Sequence, residues 1–113
     1  MSDPDRIREG GLLTVRVKHD GEELLVRASG ELDLSNAIVL EGELRRAIAT
    51  RPSEVILDLS AVTFIDSTGL RMLLLMAKHS RNNGDRLSMR RGSESAERAI
   101  ERAGLDSLLP LVD

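Results

Sequence analysis

"VILDLSAVTFIDSTGLRMLL", residues 55–74, changes character twice within a short span. It opens on a nearly continuous apolar run rich in β-branched residues. With Glu54 and Ser60 closing its ends, "EVILDLS" predicts a short central strand covered on both faces. Thr63 to Ile65 predict a further extended stretch. Then comes a polar knot, Asp66-Ser67-Thr68-Gly69, and after it the apolar period becomes helical. Leu70, Leu73, Leu74 and Ala77 form one stripe, while Met72, Leu75 and Met76 form a second, rotated to the side. The helix runs to about Arg81, where Asn82-Asn83-Gly84 supply a stop. A buried strand leading into a helix is the repeating unit of an α/β domain.

Working outward, residues 1–11 are polar and end in Gly10-Gly11, which predicts a flexible N-terminal arm ahead of one domain over 12–113. Leu13, Val15 and Val17 alternate with Thr14, Arg16 and Lys18, and Asp20-Gly21 marks a hairpin turn into a second strand from Leu24 to Ala28. From Ser35 the spacing of Ala37, Leu40, Leu44, Ala47 and Ile48 predicts a helix over 35–49, with Ser35 as its N-cap and Arg51-Pro52-Ser53 as its end. "RLSMR" (86–90) reads as an edge strand. Ser93 to Ala103 read as a third helix, with Ala96, Ala99, Ile100 and Ala103 inward and Gly104 as the stop. "LDSLLPLV" (105–112) reads as a last short helical turn. The order β-β-α-β-α-β-α predicts a single α/β domain: a mixed β-sheet with an N-terminal hairpin and helices packed on the sheet.

Composition narrows the function. A chain of 113 residues is of single-domain size, and its 41% hydrophobic share is enough for one core. Phe64 is the only aromatic residue, so bases and sugars find no stacking platform, and the net charge of −3 argues against nucleic acid as a partner. Cysteine is absent, which excludes disulfides and thiolate metal sites and suits a reducing cytoplasm. "MSDPDRIREGG" has no apolar core for a secretory signal. The longest apolar run, Met72 to Ala77, falls far short of the roughly 20 residues a spanning helix needs, so no membrane insertion is expected.

No catalytic motif stands out. Ser67 lacks a G-x-S-x-G context, His19 and His79 sit on polar stretches, and there is no phosphate loop or H-E-x-x-H pair. Asp58 ends a strand in a chain of receiver-like size, but the first strand runs into a hairpin, without the acidic pair a receiver needs to hold Mg²⁺. Asp58 reads as a loop-capping carboxylate. The expectation is a binding protein without cofactor or metal, not an enzyme.

The knot at 66–69 has two readings. Asp or Ser before an apolar helix satisfies free N–H groups. The same place tolerates a phosphate, because the helix start carries partial positive charge and free donors. Phosphate on Ser67 would add about −1.5 to −2 charge beside Asp66, which the fold survives and an interface centred there does not. Gly69 in the first turn costs up to about 1 kcal/mol against Ala, and close approach by another molecule is one reason for it. The Met72–Leu75–Met76 face is either packed under another element or offered to a partner.

Three segments, "GELDLSNA" (30–37), "VILDLSAVTFIDSTGLRMLL" (55–74) and "AGLDSLLPL" (103–111), resemble the STAS family (sulfate transporter and anti-sigma factor antagonist domains), in particular its free-standing bacterial anti-sigma factor antagonists. "FIDSTGL" is the most specific part. The resemblance implies partner switching: the unphosphorylated protein binds an anti-sigma factor that is itself a serine kinase and frees a sigma factor. Phosphorylation ends that binding, and a PP2C-type phosphatase restores it. ATP and Mg²⁺ would belong to the kinase. The resemblance makes Ser67 the phosphoacceptor, and assigns Asp33, Ser35, Asn36, Asp66, Thr68, Gly69, Leu70 and Met72 to the partner-binding region. Capping the helix at 35–49 is an equal reading for Ser35 and Asn36. This segment lacks the proline often found early in the family's helix. The alternative within the fold is a constitutive subunit of a stress-signalling scaffold or a lipid-transport complex, with Ser67 unmodified.

Overall fold

The computed structural model describes residues 5–113. Six strands form one sheet in sequence order: β1 (Arg6–Gly10), β2 (Leu13–Asp20), β3 (Glu23–Leu32), β4 (Glu54–Ile65), β5 (Leu87–Arg90) and β6 (Leu111–Val112). The first two pairings are antiparallel and the last three parallel. Helices α1 (Ala37–Ala49), α2 (Ser67–Asn82) and α3 (Glu94–Arg102) supply the parallel crossovers, as parallel strands require. The predicted mixed sheet is present.

Alternation places the core. Val15 and Val17 on β2 pair with Ala28 and Val26 on β3, and all four are buried. Val26 pairs in turn with Leu57 on β4. This face carries α1, whose Leu40, Leu44 and Ala47 are buried against it. Arg16 and Lys18 on β2, with Arg27 on β3, point the other way and are exposed. The hairpin turns at Gly21-Glu22 between paired Asp20 and Glu23, and Gly21 takes a φ of 65°, the left-handed region such a turn favours. Gly30 is tighter, because a Cβ there would lie 2.0 Å from the Leu12 carbonyl oxygen.

Four expectations are corrected. Residues 6–10 of the expected arm form β1, while residues 1–4 lie outside the described residues. Ile7 is the strand's one large apolar residue, so hydrophobic periodicity does not reveal it. What fastens it is the antiparallel ladder to β2, from Arg6–Val17 to Gly10–Leu13, together with Arg6 and Arg8, which reach the buried Glu43 of α1 at 3.2 and 3.7 Å. Thr63 to Ile65 are extended, as expected, and continue β4; the partner strand β3 absorbs the length through register shifts at Arg27/Ser29 and Gly30/Glu31. The segment 86–90 is no edge, because β6 pairs with β5 through Met89–Leu111 and Arg90–Val112. The tail is therefore a turn followed by a strand. On α3, Ala96 and Ile100 are buried but Ala103 is exposed at the C-cap.

No helix among the described residues is long and apolar enough to cross a membrane.

Candidate functional site

Strands β3 and β4 run parallel, so the loops that follow them emerge at the same end of the sheet, where α1 and α2 begin. Asp66 joins the two loops. Its backbone is extended, it occupies the N-cap of α2, and its Oδ1 accepts from the Gly69 N–H at 2.9 Å. Its Oδ2 accepts from the Leu34 N–H at 2.9 Å, and its own N–H donates to the Leu32 carbonyl at 3.1 Å. Both carboxylate oxygens therefore hold backbone, one in the first turn of α2 and one in the loop before α1.

Ser67 is the first residue of α2 and is exposed. It stands in the turn whose N–H groups have no intrahelical acceptor. Gly69 N–H is already bound to Asp66, and the first turn holds no acidic residue. An anion on the Ser67 hydroxyl would thus meet the positive end of the helix dipole, with Asp66 held back by its two backbone bonds.

The neighbouring loop is braced from within. Asp33 Oδ1 accepts from the Ser35 N–H at 2.9 Å and from the Ser35 hydroxyl at 2.6 Å. Asn36, fully buried, accepts from the Asp33 N–H and donates to the Glu31 carbonyl, both at 2.9 Å. The N-cap of α1 is accordingly Asn36 and not Ser35, and its side chain braces the loop in place of the helix. The Ser35 hydroxyl donates to Asp33, and among the described residues it accepts from no helix N–H.

Burial sorts the rest of the predicted set. Asp33 and Thr68 are half-buried, Ser35 is exposed, and Leu70 is half-buried against the core. Met72 is 4% exposed, so its side chain belongs to the core and offers a partner no surface. Met76 is likewise buried, while Leu75 is exposed, so the second stripe is mostly packed inside. Gly69 is also explained internally. A Cβ there would lie 2.9 Å from Leu32 Cγ and 3.0 Å from Ile65 Cγ2, so the close approach comes from the sheet and not from another molecule. Asp58 accepts from the Ser60 N–H at 2.9 Å and is buried, but it lies inside β4 and not at a strand end, so it braces the irregularity where the register with β3 shifts and caps no loop.

Two residues at this end escape sequence reasoning: Leu34 and Ile38, each 76% exposed. Leu34 sits in the loop tied to Asp66, and Ile38 in the first turn of α1. The signal was present as an apolar residue between Asp33 and Ser35 in an otherwise polar loop. Among the described residues no group of His, Cys, Asp and Glu is arranged to hold a metal ion.

Residues 14–113 match the STAS domain family profile. The anti-sigma-F factor antagonist RsfB of Mycobacterium tuberculosis is 32% identical over 111 residues, spanning 98% of this chain and 85% of that protein. The crystal structure of an anti-sigma factor antagonist from Mycobacterium paratuberculosis superposes with a TM-score of 0.77 at 29% identity, covering 88% of this chain and 84% of the other. The antagonist SpoIIAA shares the fold at 18% identity, with TM-scores of 0.69 for its unphosphorylated form (covering 88% of both chains) and 0.64 for its phosphorylated form (88% of this chain, 91% of the other). The chain therefore belongs to the STAS domain family, among relatives that are anti-sigma factor antagonists.

Proposed function

We propose that this protein is an anti-sigma factor antagonist switched at Ser67. Unphosphorylated, the end of the sheet bearing Ser67 binds an anti-sigma factor that is also a serine kinase, and a sigma factor is released. The contact surface combines Ser67 and Thr68 with the loop at Asp33, Leu34 and Ser35 and with Ile38. The buried members, Asn36, Gly69 and Met72, act by holding that surface in shape.

The kinase transfers the γ-phosphoryl group of ATP to the Ser67 hydroxyl, and ADP leaves. The resulting phosphoserine is compatible with the helix start but not with a desolvated interface, where like-charge contacts cost several kcal/mol. A PP2C-type phosphatase hydrolyses the ester and restores the binding form. Such a cycle takes place in the cytoplasm, beside the transcription machinery it regulates.

The observation that carries this reading is the position of Ser67: exposed, first in α2, and directly after a cap whose two oxygens are already bound. Support also comes from SpoIIAA, a protein of the same fold with a phosphorylated form.

The test is intact mass and phosphosite mapping after incubation with ATP and each candidate anti-sigma kinase of the source organism. One phosphate on Ser67, with dissociation of the complex, supports the cycle. Stable binding to a larger assembly without any phosphate uptake overturns it in favour of the constitutive subunit.

A further inference from the structure

The sheet face away from α1 carries an arrangement that the switch does not use. On β2 and β3, Arg16 lies directly opposite Arg27, and Asp20 directly opposite Glu23. Like charges in directly opposed cross-strand positions are destabilising. The chain places two such pairs, of opposite sign, on the same two strands. Among the described residues, none of the four takes part in an intrachain ion pair. Exchanging the signs along one strand would have paired all four; as it stands, Arg27 finds opposite charge only in the buried Asp58 across on β4, and Glu23 has a further acid, Glu54, on that side.

Between the two charged rows lies the row Lys18–Leu25–Ile56. Leu25 and Ile56 are half-buried apolar residues on a face that no helix covers there. A groove of about 430 Å³ opens beside them, lined by Ile7, Arg16, Leu25 and Arg27, and shared by Lys18 with Asp5.

We propose that this face is a self-association surface for a second copy of the chain. A half-turn about an axis perpendicular to the strands, over the Leu25–Ile56 row, stacks two sheets face to face with their strands antiparallel. Leu25 and Ile56 then meet their copies at the centre, Lys18 lies at the outer end of the row, where its flexible stem lets the ammonium group turn out to solvent, and Glu54 comes opposite Asp58, which is buried within its own sheet. Arg16 and Arg27 face Asp20 and Glu23 of the second copy, and the same contacts recur on the other side of the axis, as an isologous interface requires.

A purely acidic partner fits less well, because it would satisfy the arginines and repel Asp20 and Glu23. The surface is modest and charged, which points to a transient dimer. Its face is opposite the one carrying α1, so dimerisation leaves Ser67 accessible.

The pattern makes an unusual prediction for variants. Arg16→Glu creates a favourable intrachain pair with Arg27, and Asp20→Lys does the same with Glu23. Each single change therefore preserves or raises the thermal midpoint while weakening association. Combining them restores complementarity between copies.

The experiment is sedimentation equilibrium of the intact chain from about 10 µM to about 1 mM, at low and high salt, with thermal unfolding of each variant in parallel. The expected result is a mass that rises towards the dimer with concentration and falls with salt. Each single variant should associate about tenfold more weakly, and the double variant should regain wild-type behaviour. A monomer at every concentration overturns the proposal. So does a dimer indifferent to both single variants, or a folded double variant that is not rescued.

Discussion

The starts of α1 and α2 lie side by side at the same end of the sheet, yet they are built on opposite plans. At α2 the cap is an aspartate whose oxygens reach forward to Gly69 and sideways to Leu34, and the next residue is an exposed hydroxyl. At α1 the cap is a fully buried asparagine that reaches backward to Asp33 and Glu31, and the next residue is the buried Ala37. One start presents a modifiable group to solvent with donors free behind it. The other is a closed brace that sets the position of the loop facing it. A switch needs both: a place where charge can change, and an adjoining surface that does not move when it does.

The largest expected effect separates those roles at the interface. Ser67→Asp should weaken binding to the partner kinase by about 3–5 kcal/mol, roughly 10²–10³-fold or more. Ser67→Ala should bind as tightly as the wild type and remain bound in ATP. Titration calorimetry of both variants decides this, and equal affinities would remove the electrostatic basis of the switch.

Breaking the brace should instead show as lost stability. Asn36→Ala leaves the Asp33 N–H and the Glu31 carbonyl without their partner and should cost about 2–3 kcal/mol in urea unfolding. Gly69→Ala forces a methyl group against Leu32 and Ile65 and should cost about 1–3 kcal/mol, with the helix start displaced. If Gly69 existed for the partner's sake, stability would hold and only binding would suffer. Ser35→Ala should be smallest, within about 0.5 kcal/mol in the same assay. A loss of 1 kcal/mol or more would mean that Ser35 contributes to the helix cap after all.

Sequence made the β2–β3 hairpin and the α2 helix legible for a common reason: each buries one face, so the period of its apolar residues reports its geometry. The same logic fails for β1. Its anchoring partner Glu43 lies more than thirty positions away, and no local pattern encodes a pairing of charges across that distance. It fails for Gly69 too, because the crowding comes from Leu32 on another strand. Ser35 and Asn36 are both good capping types, yet neither side chain accepts from the helix: Ser35 donates to Asp33, and Asn36 braces the loop behind it. In the site itself, the exposed hydroxyl at the start of α2 was readable from the motif around it. The exposed Leu34 and Ile38 were not, because periodicity marks apolar residues as interior and says nothing about those left outside.

The buried Glu43 bears on where the folded domain begins. The family profile starts at residue 14, which makes everything before it look like optional leader. Yet Arg6 and Arg8 provide the counter-charges for a carboxylate enclosed in the first helix. An expression fragment trimmed to the matched boundary would keep the acid and discard both of its bases. The matched segment is therefore shorter than the unit that pairs this carboxylate, and the physical edge of the domain is the one that matters for truncation or tag placement.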